Sequence, residues 1–250
     1  MKVKNILVSQ PAPADLAKSP YTKLAEKYKL DVDYHKFIKI EGIPTKDFRQ
    51  SRINLLDYSA VIFTSRQAVD HYFRIAKDMR VSIPDDMKYF CISESTAFYL
   101  QKYVQFRKRK IFHGKLNFND LIDVIKKHRD EVYLLPCSEI HKPDIPDTLA
   151  KNKINYTKAI IYRTLASDLS NLDITSYEML VFFSPSGVKS LFKNFPDYVQ
   201  AETQIATFGA TTAKVASDMG LTINVQAPTQ KSPSMTMAIE EFVKAQKKKK

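Results

Sequence analysis

IFTSRQAV (Ile62–Val69) and VFFSPSGV (Val181–Val188) are the stretches on which the fold turns, because they read as one motif written twice. Aligned, they set Ser65 on Ser184, Ala68 on Gly187 and Val69 on Val188. A second pair follows in the same order. YFCISESTAFYL (Tyr89–Leu100) matches IATFGATTAKVA (Ile205–Ala216), setting Ser93 on Gly209, Thr96 on Thr212 and Ala97 on Ala213. The offsets are 119 and 116 residues. Two colinear matches at nearly one spacing predict two similar lobes. Within each motif a short β-branched or aromatic run ends in small residues that open an amphipathic stretch, which is the βα unit of a parallel sheet.

Outward from these motifs, Ile6–Ser9, Val61–Thr64, Tyr89–Ile92, Val132–Leu135, Leu180–Phe183 and Ile205–Phe208 read as strands. Helical spacing of apolar residues marks Gln67–Met79, Thr96–Val104, Phe118–His128, Val188–Phe192, Thr212–Met219 and Met235–Gln246. Two longer extended segments, Asp31–Ile43 and Tyr156–Leu165, break the rhythm and mark where the chain crosses between lobes. One lobe is then discontinuous, residues 1–36 with 167–250, and the second, residues 42–160, is inserted into it. Residues 37–41 and 161–166 are the linker strands. The expected fold class is α/β, with two similar lobes, each a parallel sheet flanked by helices, joined by a two-stranded linker.

Composition supports a packed globule: 250 residues of 28.7 kDa, 44% hydrophobic and 11% aromatic, exclude a disordered or collagen-like chain. No apolar run approaches the roughly 20 residues of a membrane span, and the N-terminus lacks a secretory h-region. A cytoplasmic protein with no membrane partner is expected. Cys91 and Cys137 have no metal-ligand spacing and read as buried strand residues. The net charge is +12, of which Lys247–Lys250 supply four, and the remainder favours anionic partners. No basic helix or aromatic-interleaved basic patch selects nucleic acid. Arg107–Lys110, the densest internal cluster, reads as a solvated loop between a helix and a strand.

The repeated turns carry a legible chemistry. Thr64, Ser65, Ser93, Ser95, Thr96, Ser184, Ser186, Thr211 and Thr212 all lie where a strand gives way to a helix. There their oxygens cap orphan amides and leave others open to an anion at the carboxyl end of a parallel sheet. TQKSPS (Thr229–Ser234) reads as a further such turn, with Ser232 as the cap and Pro233 at the first helical position. Ordinary capping explains any one hydroxyl, and five such turns in a basic chain favour ligand binding. The phosphate-binding loop, the dinucleotide fingerprint, the zinc-protease pair and the serine-nucleophile elbow are all missing. His35, His71, His113, His128 and His141 are scattered and read as surface or strand-edge residues. Neither metal nor cofactor is expected.

Taken together, IFTSRQAV, LLPCSEIHKPDIPDTLAKNKI (Leu134–Ile154), IIYRT (Ile160–Thr164), FFSPSGV, FGATTAKVASDMGL (Phe208–Leu221) and APT (Ala227–Thr229) resemble the uroporphyrinogen-III synthase family over most of the chain, in the correct order. FFSPSG followed by G-x-T-T-A and then P-T is the more specific part. The resemblance implies two α/β lobes with an active site in the cleft between them. It also implies a reaction: hydroxymethylbilane is cyclised with inversion of ring D to uroporphyrinogen III in tetrapyrrole (haem) biosynthesis, through an azafulvene and a spiro intermediate. The uncatalysed substrate closes to the type I isomer, so catalysis is largely the holding of one conformer. Eight substrate carboxylates suit a site of hydroxyls, amides and positive charge.

By the same resemblance Tyr162 of IIYRT is the catalytic residue, a phenol donating to the departing hydroxyl. The resemblance also implies that Thr64, Ser65, Ser184, Ser186, Thr211 and Thr212 bind substrate carboxylates, and Ser93, Ser95 and Thr96 are substrate-binding candidates from their own strand-end turn. The chain departs from the family pattern at Ser93, where glycine is common, and after Pro136-Cys137, where Ser138 to His141 intervene before the candidate basic contact Lys142. A monomer is expected. Two rival classes stay open at this point: a non-catalytic two-lobed sensor of a polyanion, and a nucleic-acid-binding protein.

Overall fold

The computed structural model describes residues 3–115, 118–140 and 144–248. The chain separates into two compact units, Met1–Lys39 with Leu165–Lys250, and Ile40–Thr164. The first begins with β1 (Asn5–Val8), α1 (Pro20–Tyr28) and β2 (Asp31–Tyr34). The chain then runs through β3 (Ile38–Gly42), α2 (Thr45–Gln50), β4 (Ala60–Phe63), α3 (Arg66–Asp78), β5 (Lys88–Cys91), α4 (Glu94–Leu100) and β6 (Ile111–His113). Next come α5 (Phe118–Lys126), β7 (Tyr133–Ser138), α6 (Asp144–Lys151) and the long β8 (Tyr156–Ala166). Finally β9 (Met179–Phe182), α7 (Pro185–Asn194), β10 (Gln204–Phe208), α8 (Ala210–Asp218), β11 (Ile223–Ala227) and α9 (Met235–Lys248) complete the discontinuous unit.

Each unit is built on its own sheet. The discontinuous unit carries a parallel sheet of order β11-β10-β9-β1-β2. The contiguous unit carries β3-β8-β7-β4-β5-β6, parallel from β8 to β6. The edge strand β3 runs antiparallel to β8, as the backbone bonds Ile43 N to Ile161 O and Ser167 N to Phe37 O show. Without β3 the two sheets share one spatial order, with β4 standing where β9 stands and β5 where β10 stands. The repeated sequence motifs are therefore the equivalent strands β4 and β9 with their helices, and then β5 and β10 with theirs.

The central strands β4 and β9 are buried along their whole length, as a sheet covered on both faces requires. Successive side chains feed opposite cores. Val61 and Phe63 join Val69, Tyr72 and Ile75 of α3, while Ala60 and Ile62 join Leu121 and Ile125 of α5. In the other unit Met179 and Val181 meet Ile239 and Val243 of α9, and Leu180 and Phe182 meet Val188 and Leu191 of α7. The α3 face (Ala68, Val69, Tyr72, Ile75, Ala76) repeats at the three-to-four spacing that packs a helix on a sheet.

Several local expectations are corrected. Asp31–Ile43 is not one extended segment: β2 ends at Tyr34, and Phe37 turns inward, 1% exposed, with its ring edge-on to Phe182 at 5.8 Å. Ser190 Oγ donates to the Phe37 carbonyl, which fixes the break before β3 begins. The strands β6 and β11 and the helices α1, α2 and α6 are additional to those read from sequence. The α9 cap is Ser234, which accepts from Met237 N at 3.3 Å, rather than Ser232, and the helix starts at Met235 rather than Pro233. Ser232 is 2% exposed and is held inside a turn, its N–H donating to Thr229 Oγ1 at 2.9 Å and its carbonyl accepting from Thr229 N at 3.0 Å.

Candidate active site

In the contiguous unit the strand order reverses between β4 and β7, and in the discontinuous unit between β9 and β1. Outside the carboxyl ends of strands at such a switch point is where open α/β sheets bind ligands. Ser65 sits there at the end of β4. Its backbone is extended (φ −164°) and its hydroxyl accepts from Ala68 N at 3.1 Å, so it caps α3, with Thr64 half-buried beside it. At the neighbouring β5 end Ser93 caps α4, accepting from Thr96 N at 3.4 Å. Its hydroxyl also lies 3.0 Å from Ser95 Oγ and 3.2 Å from Thr96 Oγ1. Ser95 is exposed, whereas Thr96 is buried in the first turn and is the less accessible of the pair.

Tyr162 reaches this end of the sheet through a β-bulge. The β7–β8 register runs Cys137 to Ile160 and then Ser138 to Tyr162, skipping Ile161. Strand alternation alone would put Tyr162 on the face of exposed Ile160; the extra residue turns it onto the face of Ala159 and Ile161 instead. There it is 9% exposed, its hydroxyl 3.4 Å from Ser65 Oγ. Burial raises its pKa above the ordinary phenol value, partly opposed by the Ser65 hydrogen bond, so the group is protonated at neutral pH.

His71, read from sequence as an incidental histidine, stacks on the Tyr162 ring, with centroids 5.3 Å apart and planes at 20°. Its distance from Tyr162 in sequence hides this, and only its place one turn and a half into α3 after Ser65 hints at it. Burial and then the Arg74 charge lower the imidazole pKa, which keeps the ring neutral. Arg74 Nε donates to His71 Nδ1 at 3.3 Å, which leaves the proton on Nε2. The same guanidinium donates to Ile43 O at 2.8 Å, to the bulge carbonyl Ile161 O at 3.4 Å and to Asp78 at 3.1 Å. Gly42 makes room for it, since a Cβ there would lie 2.7 Å from Arg74 Nε and Nη2.

In the discontinuous unit Ser184 caps α7, accepting from Gly187 N at 3.2 Å, with Pro185 at the first helical position and Ser186 half-buried behind it. Ser9, at the end of β1, was not a sequence candidate. A Cβ added to Gly187 would meet Ser9 Oγ at 3.5 Å and Ser184 Oγ at 3.6 Å, so these two hydroxyls converge on the start of α7 at the switch point. A small hydroxyl residue ending a strand was the signal that marked it. At the next strand end the α8 cap is Gly209, with φ +87° and no side-chain cap. That backbone region is nearly glycine's alone. Thr211 is exposed and Thr212 buried, so neither caps α8, and its first-turn amides are left without a side-chain partner at the cap. Lys142 lies outside the described residues.

Parallel sheets flanked by helices, with helix N-termini opening at their switch points, place the protein in the α/β class, in which ligand sites lie outside the carboxyl ends of the strands. The profile of the uroporphyrinogen-III synthase HemD family matches residues 19–237, and the chain belongs to that family. It is an enzyme of tetrapyrrole biosynthesis, a cyclising lyase acting on a tetrapyrrole substrate. Among solved structures, uroporphyrinogen-III synthetase from Helicobacter pylori 26695 is similar at 16% identity with a TM-score of 0.59, over 97% of this chain and 99% of that one. A mutant uroporphyrinogen III synthase from the extremely thermophilic bacterium Thermus thermophilus is similar at 14% identity with a TM-score of 0.54, over 98% and 99%. At such identities the likeness is one of fold. No curated protein sequence matches the chain.

Proposed function

We propose that Tyr162 is the catalytic acid with which this chain cyclises hydroxymethylbilane, inverting ring D, to uroporphyrinogen III. The observation that carries this reading is the β8 bulge, which turns the phenol onto the face of Ser65 and His71 at the carboxyl end of the sheet. Being protonated, Tyr162 donates its hydrogen to the hydroxymethyl oxygen as the carbon–oxygen bond breaks, and the oxygen leaves as water. The azafulvene so formed is attacked from the substituted position of ring D. Fragmentation of the spiro intermediate and reclosure complete the inversion, and the phenol recovers its proton.

Substrate carboxylates are held by hydroxyls and first-turn amides: Thr64, Ser65, Ser93, Ser95 and Thr96 in the contiguous unit, Ser184, Ser186, Thr211 and Thr212 in the other. The open α8 N-terminus behind Gly209 is the best prepared of these, because no side chain competes for its amides. Lys142 supplies a basic contact. In this reading residues 1–36 with 167–250 and residues 42–160 are the two lobes, and 37–41 with 161–166 the linker strands. The protein works as a cytoplasmic monomer without nucleic-acid or membrane partners. No helix among the described residues is long and apolar enough to cross a membrane.

The test adds the purified protein to hydroxymethylbilane generated in situ and separates the products by chromatography. Type III product is expected, and type I alone would leave a binding protein.

A further inference from the structure

Toward the amino-terminal ends of β5 and β6, away from the strand ends that carry Ser65 and Ser93, the contiguous unit has a half-open pocket of about 790 Å³. It lies under the second half of α3, and its apolar wall is formed by Phe73, Val81, Ile83, Met87 and Val104. Phe73 is stacked flat on Tyr103, with centroids 4.5 Å apart and planes at 5°, which presents a rigid aromatic surface. Arg74 and Asp78, which also line the pocket, are what it shares with the network around His71 described above; the wall residues are not part of that network.

Two features suit the cavity to a ligand. The first is Tyr89, which lines it. Only 4% of Tyr89 is exposed, and its hydroxyl makes no hydrogen bond among the described residues. The hydroxyl opens into the cavity and is not sealed in the core, so it can donate to a ligand there. Burial and the nearby Asp85 carboxylate raise its pKa, so it stays a donor.

The second feature is the charge of the rim. Asp70 is already engaged, accepting from Tyr99 and Tyr103 and paired with Lys102 at 3.3 Å; Asp78 is paired with Arg74. Lys110 donates to the Asp85 carbonyl, and the Asp85 carboxylate stays on the rim beside Tyr89 with no ion pair among the described residues, against which the cations are counted. Lys77 and Arg107 are exposed on the rim and have no ion pair among the described residues. The run Arg107–Lys110, which the sequence presents as a mere solvated loop, thus contributes two cations to the mouth of a pocket that has one apolar wall and a phenol open to it.

We propose that this cavity is a second ligand site, which takes a small molecule with an aromatic body and a single anionic group, a carboxylate, sulfonate or phosphate. The body packs on Phe73 and the aliphatic wall, the anion meets Lys77 and Arg107, and Tyr89 donates to a polar atom on the body. A substrate with eight carboxylates does not suit it, since the apolar wall would face charges that three cations cannot match.

The probe is 8-anilinonaphthalene-1-sulfonate, an aromatic monoanion, titrated into the full chain by fluorescence. Saturable binding of one probe per chain is expected. Reversing the rim in Lys77→Glu/Arg107→Glu should weaken it about tenfold, in line with two solvent-exposed charge contacts. Both positions are exposed, and far-UV circular dichroism checks that the variant folds; Lys77→Ala/Arg107→Ala is the milder substitute if it does not. Tyr89→Phe should weaken binding further in the same direction, while Tyr162→Phe and Thr212→Val leave it unchanged. Non-saturable binding, an affinity indifferent to the rim charges, or a loss of binding in Tyr162→Phe would each overturn the proposal.

Discussion

Gly42→Ala is a small change whose effect should reverse sign with the residue opposite it. The added methyl falls 2.7 Å from Arg74 Nε and Nη2 and 2.8 Å from Cζ, closer than a real Cβ approaches anything. The guanidinium is the far end of a flexible side chain, so it yields rather than the strand. Yielding loosens its bonds to Ile43 O, Ile161 O and His71 Nδ1. Hydrogen bonds from a charged donor are each worth up to about 1.5–3 kcal/mol. Arg74 is about a third exposed, so their combined loss is set at roughly 2 kcal/mol. Replacing a strand glycine that has no positive φ returns about 0.5–1 kcal/mol. The net is a destabilisation of about 1 kcal/mol, or a Tm lower by roughly 3–5 °C for a unit of this size. In an Arg74→Ala background the clash is gone and only the glycine term remains, so Gly42→Ala should raise Tm there. Differential scanning calorimetry on the four members of this double-mutant cycle measures the coupling. Equal Tm shifts in both backgrounds would refute the reasoning, and with it the claim that Gly42 exists to admit Arg74.

Tyr162→Phe should keep Tm within a degree or two, since among the described residues its hydroxyl has only the 3.4 Å contact with Ser65, yet slow type III formation by about tenfold or more; unchanged turnover reassigns the ring to packing. Ser65→Ala should cost about 1 kcal/mol of stability through the lost α3 cap as well as raise KM. Thr212→Val removes no cap and should raise KM alone, so a fall in Tm without a change in KM would count against carboxylate binding there. His71 has its folded-state pKa pushed below the ordinary value of about 6.5, so the unfolded chain binds more protons near that pH. Stability should therefore fall as pH drops through about 6.5, and His71→Phe, which keeps a ring against Tyr162, should flatten that slope in urea titrations at a series of pH values.

The central strands were legible because they are buried on both faces and so appear as unbroken apolar runs, as in AVIF and MLVF. The peripheral strands were not. In β11 buried and exposed residues alternate in the polar run INVQA, and β6 has three residues, too few for a period to show. The helix α1 does carry a serine cap and a proline, Ser19 and Pro20, but its apolar face is only Leu24 and Tyr28. The capping serines Ser65, Ser93 and Ser184 could be read from position alone, because a strand end followed by an amphipathic run leaves amides in need of an acceptor. Tyr162 could be found by resemblance, but not the way it faces. A bulge shifts every later side chain to the other face, and no residue type in IIYRT announces one. His71 and Arg74 were invisible for the same reason, since their partners are brought up by that irregular strand.

The pairing of β1 with β9 has a consequence for synthesis. Ile6 is the in-register neighbour of Met179, and everything between them, including a whole unit with its own sheet, leaves the ribosome first. A nascent chain therefore carries β1 and β2 as an orphan pair, with the apolar run ILV of Ile6–Val8 lacking the strand and helices that later bury it. The contiguous unit, which ends at Thr164 partway along β8, has all its residues in hand once that point has emerged and is free to fold while the other waits. Its folding also shortens the wait. With Ile43 N bonded to Ile161 O, two points far apart in sequence become adjacent, and the long insertion closes for the outer sheet as a short loop would. A chain stalled or cut between Leu165 and Met179 would thus hold one finished unit and one sticky strand pair, the species a chaperone or protease would meet.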